Sequence, residues 1–177
     1  MKKTRFLFKV SALIVLVTLI LSACMKSDNL SSSEGYTPEN ELKSIKHWLD
    51  SIKALNLNID TTSTGLLYIP GKVGTGPKVK AGDVVTVKYT GRFLNGKIFD
   101  ASAWQDEAGT MSYVHKAPTD ASKTMIQGWE EGIEVLSKGG SAAFLIPSNK
   151  AYGSSGKGSI IPPYTSLIFV IEVVNIK

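Results

Sequence analysis

The chain is short of the residues that metal, redox and covalent chemistry require. Among its 177 residues are one cysteine, Cys24, and two histidines, His47 and His115. One cysteine excludes an internal disulfide framework and a cysteine-based zinc site. Two histidines far apart in sequence leave little for a histidine-rich metal site. No serine–histidine–aspartate arrangement is supported either, since His47 falls in a helical pattern and His115 in a loop. A phosphate-cradling loop is missing too. Residues 153–159 (GSSGKGS) have the wrong spacing, and Ile160-Ile161-Pro162-Pro163 stands where a helix would have to begin. The long apolar run at 10–21 (VSALIVLVTLIL) is shorter than the roughly 20 residues of an ordinary spanning helix. What is present is 43% hydrophobic and 20% charged, the composition of a folded domain with its own core.

Lys2, Lys3, Arg5 and Lys9 precede that run, and Leu21-Ser22-Ala23-Cys24 closes it. A basic head, an apolar middle and small residues at the end are the parts of a secretory signal. The closing tetrad resembles the bacterial lipobox, in which a diacylglycerol is attached to the cysteine sulfur and the chain is cut just before it. That resemblance implies a signal peptide at 1–23, lipid attachment at Cys24, and a mature chain held to a membrane of the bacterial cell envelope. A stable anchor needs two or more acyl chains. Met25 stands in place of the aspartate that resembles an inner-membrane retention signal, so the outer membrane is the default for a Gram-negative source. The alternatives are a plain signal peptide with an incidental cysteine, or an uncleaved anchor. The formal charge of +5 is mostly a property of this segment. Residues 1–23 hold four of the 20 basic residues and none of the 15 acidic ones, leaving +1 for the rest. Nucleic acid is therefore not an expected partner.

Residues 24–36 are polar and serine-rich, a flexible tether. Thr37-Pro38-Glu39 is a helix start, with a hydroxyl N-cap, proline in the first turn and an acid after it. Leu42, Ile45, Leu49, Ile52 and Leu55 then recur at three- and four-residue steps, giving an amphipathic helix and linker over 37–65. Two readings of that stripe stand: a dimerisation helix, or packing onto the chain's own domain. Barely two heptads favour packing.

From Leu66 the pattern changes to alternation, with strands expected at 66–70, 84–93, 97–99, 142–146 and 167–176. Asn95-Gly96 is a hairpin turn. Residues 126–137 form the domain's helix, ended by Gly139-Gly140. Glu130, Glu131 and Glu134 on it read as a solvated face that complements the helix dipole. The fold class is α+β: a twisted antiparallel sheet with one short helix against it, preceded by the amphipathic helix.

A set of aromatics beside turn residues remains: Tyr89-Thr-Gly91, Phe99-Asp100, Gly128-Trp129-Glu-Glu-Gly132, Ala151-Tyr152-Gly153 and Ile160-Ile161-Pro162-Pro163. Taken singly, each large aromatic reads as core. In this order and spacing, the set resembles the FKBP family of peptidyl-prolyl isomerases, over residues 66–177. The resemblance implies a sheet curled around the helix, with the site between them. Trp129 would be the floor under a proline ring, Tyr89, Phe99 and Phe169 the walls, and Met125 and Ile126 one rim. The Ile126 N–H and the Tyr152 hydroxyl would bind substrate carbonyls, Ile161 would close the top, and Asp100 would be the carboxylate at the edge. Two departures stand out. Residues 103–124 are longer than the usual connection, with the family's aromatic pair represented only by Met111 and Tyr113. Lys157 occupies a flap position where histidine is common.

The implied activity is cis–trans isomerisation of X–Pro bonds in exported proteins, with proline-containing polypeptides as partners and macrolides as a candidate ligand class. An apolar pocket that favours a twisted amide needs no cofactor. A binding module that holds proline segments with little turnover is the second hypothesis.

Overall fold

The computed structural model describes residues 35–105 and 107–177. The expected signal peptide at 1–23, the lipid site at Cys24 and nearly all of the tether lie outside the described residues. Among those described, no helix is long and apolar enough to cross a membrane.

The first helix, α1, spans Pro38–Ala54, and its start is as the sequence dictates: the Thr37 hydroxyl accepts a bond from the Asn40 N–H at 3.3 Å. Nine strands follow among the described residues: β1 (Asp60–Thr61), β2 (Leu67–Pro70), β3 (Thr75–Lys78), β4 (Val84–Phe93), β5 (Ile98–Ala101), β6 (Met111–Val114), β7 (Ser137–Lys138), β8 (Ser141–Ile146) and β9 (Leu167–Ile176). The second helix, α2, spans Gln127–Ile133, shorter at both ends than the expected 126–137.

Seven strands form one antiparallel sheet in the order β1-β2-β8-β9-β4-β5, with β6 also on β4. β5 and β6 share the same edge of β4: β5 pairs along Thr90–Arg92 and β6 along Val84–Val87. The long 103–124 connection therefore contains a strand of its own, β6, which returns the chain to the edge of β4. β3 and β7 make a separate two-stranded ribbon.

The sheet has a core on each face. On one side, Val85, Val87 and Tyr89 of β4, Phe144 and Ile146 of β8, and Leu167, Phe169 and Ile171 of β9 pack with Trp129 and Ile133 of α2. On the other, α1 lays Trp48 and Ile52 over Ile69, Ala143, Leu145 and Ile168. β8 is thus buried at every position, which explains its unbroken apolar run. Packing on its own sheet is the face α1 uses. The stripe is shifted from the expected one, with Trp48 in it and Leu42 left 67% exposed. Glu41 pins α1 in place: its carboxylate accepts from the Ser148 N–H and hydroxyl, both at 2.6 Å, and from the Ser166 hydroxyl at 2.5 Å. α2 can lie close on β8 because a Cβ at Gly132 would meet the Phe144 ring at 2.8 Å.

Candidate functional site

A cavity of about 590 Å³ opens between the start of α2 and the β4–β9 face. Its floor is the Trp129 indole, 3% exposed. Tyr89 meets that ring edge-on at 5.1 Å between centroids and Phe169 does so at 5.2 Å. Such perpendicular contacts set ring against ring without filling the space above the indole. Seven of the nine pocket residues expected from the sequence line this one cavity: Tyr89, Asp100, Met125, Ile126, Trp129, Tyr152 and Phe169. The lining does not include Phe99 or Ile161. Phe99 stands one ring back, 5.5 Å from Phe169 and 5.0 Å from Phe93, as a prop for the wall. Ile161 is 2% exposed and packed into the core, and its carbonyl accepts the Lys157 N–H at 2.7 Å to hold the flap turn.

Two of the cavity's polar side chains are held by neighbours, Tyr89 by Asp100 and Gln105 and Tyr152 by Lys157, while Lys123, Gln127, Asn149 and Lys150 also line it. The Tyr89 hydroxyl donates to Asp100 Oδ2 at 3.0 Å and accepts from Gln105 Nε2 at 2.5 Å. Burial pushes the Tyr89 phenol well above its ordinary value, and the Asp100 carboxylate adds to the shift, so this hydroxyl stays neutral. Asp100 is therefore committed to Tyr89. The Tyr152 hydroxyl faces the mouth, where Lys157 Nζ reaches it at 3.3 Å and lies 5.1 Å from its ring centroid. The Ile126 N–H, at the N-cap of α2, makes no backbone hydrogen bond among the described residues.

Beneath the floor, two of the three acids, Glu130 and Glu131, contradict the expected solvated face, while Glu134 is half-exposed. Glu130 is fully buried and Glu131 is 5% exposed. The reason is packing: with β8 against its glycine side, α2 is enclosed by neighbouring segments, and each acid finds a partner there. Glu131 accepts from Lys150 at 2.6 Å, and from Gln127 and Thr64 at 2.8 Å each. Burial alone would raise the Glu131 carboxyl, but those three donors and the lysine charge together hold it below its usual value. His115 lies in a loop as expected, directly after β6, but is fully buried, between Glu130 at 2.6 Å and Glu134 at 3.1 Å. Met111 and Lys123 also line the cavity, and Gln105 orients its tyrosine. All three sit in the long 103–124 connection, where no periodicity marks a side chain as inward-facing.

A family model described as FKBP-type peptidyl-prolyl cis-trans isomerase matches residues 76–174. A probable FKBP-type peptidyl-prolyl cis-trans isomerase of Haemophilus influenzae is 35% identical over 68% of this chain and 46% of its own length. The isomerase FkpA of Escherichia coli K12 is 32% identical over 88% of this chain and 53% of its own. The chain spans about half the length of these curated relatives. Among solved structures, Escherichia coli FkpA superposes with a TM-score of 0.65 at 32% identity, covering 78% of this chain and 60% of that one. A Pseudomonas syringae peptidyl-prolyl isomerase also gives 0.65, at 30% identity, covering 81% of this chain and 98% of its own. With the aromatic cavity between helix and sheet and a matched segment that contains its lining, the chain belongs to the FKBP-type peptidyl-prolyl cis-trans isomerase family.

Proposed function

We propose that the chain accelerates cis–trans rotation of X–Pro bonds in proteins exported to the bacterial envelope, and that it does so from a membrane to which lipid on Cys24 tethers it. The observation that carries the catalytic reading is the cavity itself. It is an aromatic box with a tryptophan floor and two flanking donors, the Ile126 N–H and the Tyr152 hydroxyl.

Rotation about an X–Pro bond must break amide resonance, against a barrier of about 18–20 kcal/mol. The twisted amide has a less polar carbonyl than the planar one and loses less on leaving water. Seating the proline ring on Trp129, between Tyr89 and Phe169, places the rotating amide against aromatic floor and walls that favour the less polar twisted form. The Ile126 N–H and the Tyr152 hydroxyl hold flanking carbonyls so that one side of the bond stays fixed while the other turns. Asp100 keeps the Tyr89 phenol oriented at the wall. Each ~1.4 kcal/mol of preference for the twisted amide gives a tenfold rate. Macrolides that present a proline-like ring fit the same box. Uncatalysed isomerisation takes tens of seconds or longer, slow enough to limit folding of exported chains.

The test is direct. Cis-to-trans conversion of an X–Pro peptide, followed by NMR exchange at micromolar protein, is expected to exceed the buffer rate. A buffer rate together with measurable peptide binding would leave a proline-binding module instead. The tether is tested by the intact mass of the membrane fraction. A mass without added diacylglycerol and acyl chains would remove Cys24 from the account.

A further inference from the structure

Directly under the pocket floor runs a chain of hydrogen bonds that the isomerisation chemistry does not use. The Trp129 indole N–H donates to the Tyr113 hydroxyl at 2.8 Å. That hydroxyl points at Glu130 Oε2, 3.5 Å away. The same carboxylate oxygen meets His115 Nδ1 at 2.6 Å, and His115 Nε2 meets Glu134 Oε1 at 3.1 Å. Glu130 and His115 are fully buried, and Glu130 Oε1 has no hydrogen-bond partner among the described residues. A carboxylate and an imidazole inside an apolar core are costly, and a core built for stability alone would not hold them. They lie in line with the one ring on which the substrate must sit.

The geometry points to Tyr113 as a positioning residue for the pocket floor, held by a protonated His115 between Glu130 and Glu134. This rests on the reading that Trp129 seats a proline ring.

Both ring nitrogens of His115 face carboxylate oxygens, which only accept hydrogen bonds. The ring can satisfy both acids only as an imidazolium, which donates from each nitrogen. The other groups around it do not compete. The His115 N–H is given to the Asp83 carbonyl at 2.9 Å, while the Asp83 carboxylate is turned to the Lys80 N–H at 2.8 Å. Tyr113 is the remaining titratable neighbour, and burial pushes its phenol far above the range where it would ionise. Burial of His115 opposes its charge, but the bonds to Glu130 and Glu134 outweigh it and raise the imidazole above its ordinary value. When His115 loses its proton, one of the two acids it bridges loses its donor. The Tyr113 hydroxyl is then the nearest group that can respond, and the Trp129 indole moves with it. Proline binding therefore weakens as pH rises through the His115 titration.

Fluorine NMR of the full-length chain labelled with 5-fluorotryptophan, in mild detergent, reads the floor directly. The Trp129 resonance is expected to titrate with His115, while Trp48 and Trp104 serve as internal references. Titrating an X–Pro peptide into the same sample gives Kd without any need for turnover. Tyr113→Phe is expected to abolish the pH response of the Trp129 resonance and to raise Kd roughly five-fold, the loss of one orienting hydrogen bond. Glu134→Gln, which keeps the packing, is expected to lower the titration midpoint. His47→Gln, on the exposed face of α1, is expected to change neither. A Trp129 resonance that stays flat while the His115 ring titrates, or a wild-type Kd in Tyr113→Phe, overturns the assignment even if catalysis is intact. A titrating floor and a shifted Kd without any turnover would leave the positioning role standing and remove the isomerase reading. Absence of peptide binding overturns both.

Discussion

Gly91 is where the pocket wall is most sharply defined by backbone, and replacing it with alanine is the clearest test of how the wall is built. In β4, Gly91 lies opposite Asp100 on one side and Phe169 on the other. A Cβ there would lie 2.7 Å from Phe99 Cζ, 2.8 Å from Phe169 Cε1 and 2.9 Å from Phe99 Cε2. Carbon atoms rest at about 3.5–4.0 Å, so each ring would have to retreat by roughly 0.7–1 Å. Phe169 can retreat only into the cavity and the half-buried Phe99 only toward solvent, each at the expense of its present ring contacts. Phe169 is set edge-on against Trp129 at 5.2 Å, and Phe99 packs on Phe93 at 5.0 Å. Overpacking of this kind costs about 1–3 kcal/mol, offset by roughly 0.5–1 kcal/mol from removing a strand glycine, so Gly91→Ala should destabilise by ~1–2 kcal/mol. Urea unfolding measures that loss. Proline-peptide affinity should fall as well, because the displaced Phe169 ring is a cavity wall. The double variant Gly91→Ala/Phe99→Leu relieves two of the three contacts. It should show a coupling of about 1 kcal/mol relative to the sum of the single variants. Strict additivity, or a Gly91→Ala protein as stable as the original, would refute the account of the wall as close-packed rings on bare backbone.

Other outcomes follow from the same contacts. Glu41→Ala removes the acceptor shared by Ser148 and Ser166, and should cost about 2–3 kcal/mol in thermal or urea unfolding. Lys150→Met leaves the buried Glu131 carboxylate without its cation and should cost roughly 3 kcal/mol, recovered in large part by adding Glu131→Gln. Tyr152→Phe should lower kcat/KM about five-fold, one hydrogen bond to a substrate carbonyl, with unfolding unchanged. In a stability–pH series, the raised His115 contributes stabilisation that is complete below its unfolded value and lost as pH rises through the folded one. The depressed Glu131 contributes stabilisation present above its unfolded value and lost as pH falls through the folded one. His115→Gln should flatten the alkaline limb only.

The parts of this fold legible from sequence are those with a local cause. β4 alternates because one face looks at α2 and the other does not, so Val85, Val87 and Tyr89 declare themselves. The Thr37–Pro38–Glu39 start of α1 is a local hydrogen-bond motif, and it forms where its residues stand. The order of turn-flanked aromatics could be read because each ring sits next to the glycine or loop that lets it in. Gly91 makes this plain, since its missing Cβ is the space that Phe99 and Phe169 occupy. What could not be read depends on partners distant in the chain. Glu130 and Glu131 have the spacing of any exposed acidic face, and only the closure of β6, the 115–126 connection and the Lys150 turn around α2 buries them.

The same reasoning explains why His115 was invisible as a functional residue. Nothing in the local sequence Val114-His115-Lys116 distinguishes a loop histidine from a buried one. The distinction is made by the Asp83 carbonyl, which accepts the His115 backbone N–H, and by two acids one turn apart, Glu130 on α2 and Glu134 at its C-cap. Placed four residues apart, Glu130 and Glu134 face the same side of the helix and can grip both ends of one imidazole. A single charged group in that position would have been expelled or neutralised. The cluster buries His115 and Glu130, leaves Glu134 half-exposed, and has one carboxylate oxygen, Glu130 Oε1, without a hydrogen-bond partner among the described residues. Such a cluster costs stability relative to an apolar core of the same volume, so replacing His115, Glu130 and Glu134 together with well-fitting apolar residues should leave the fold as stable or more so. If that triple variant also binds proline peptide as tightly as the original, with no pH dependence added or lost, the acids under Trp129 are structural filler and the floor is held by ring packing alone.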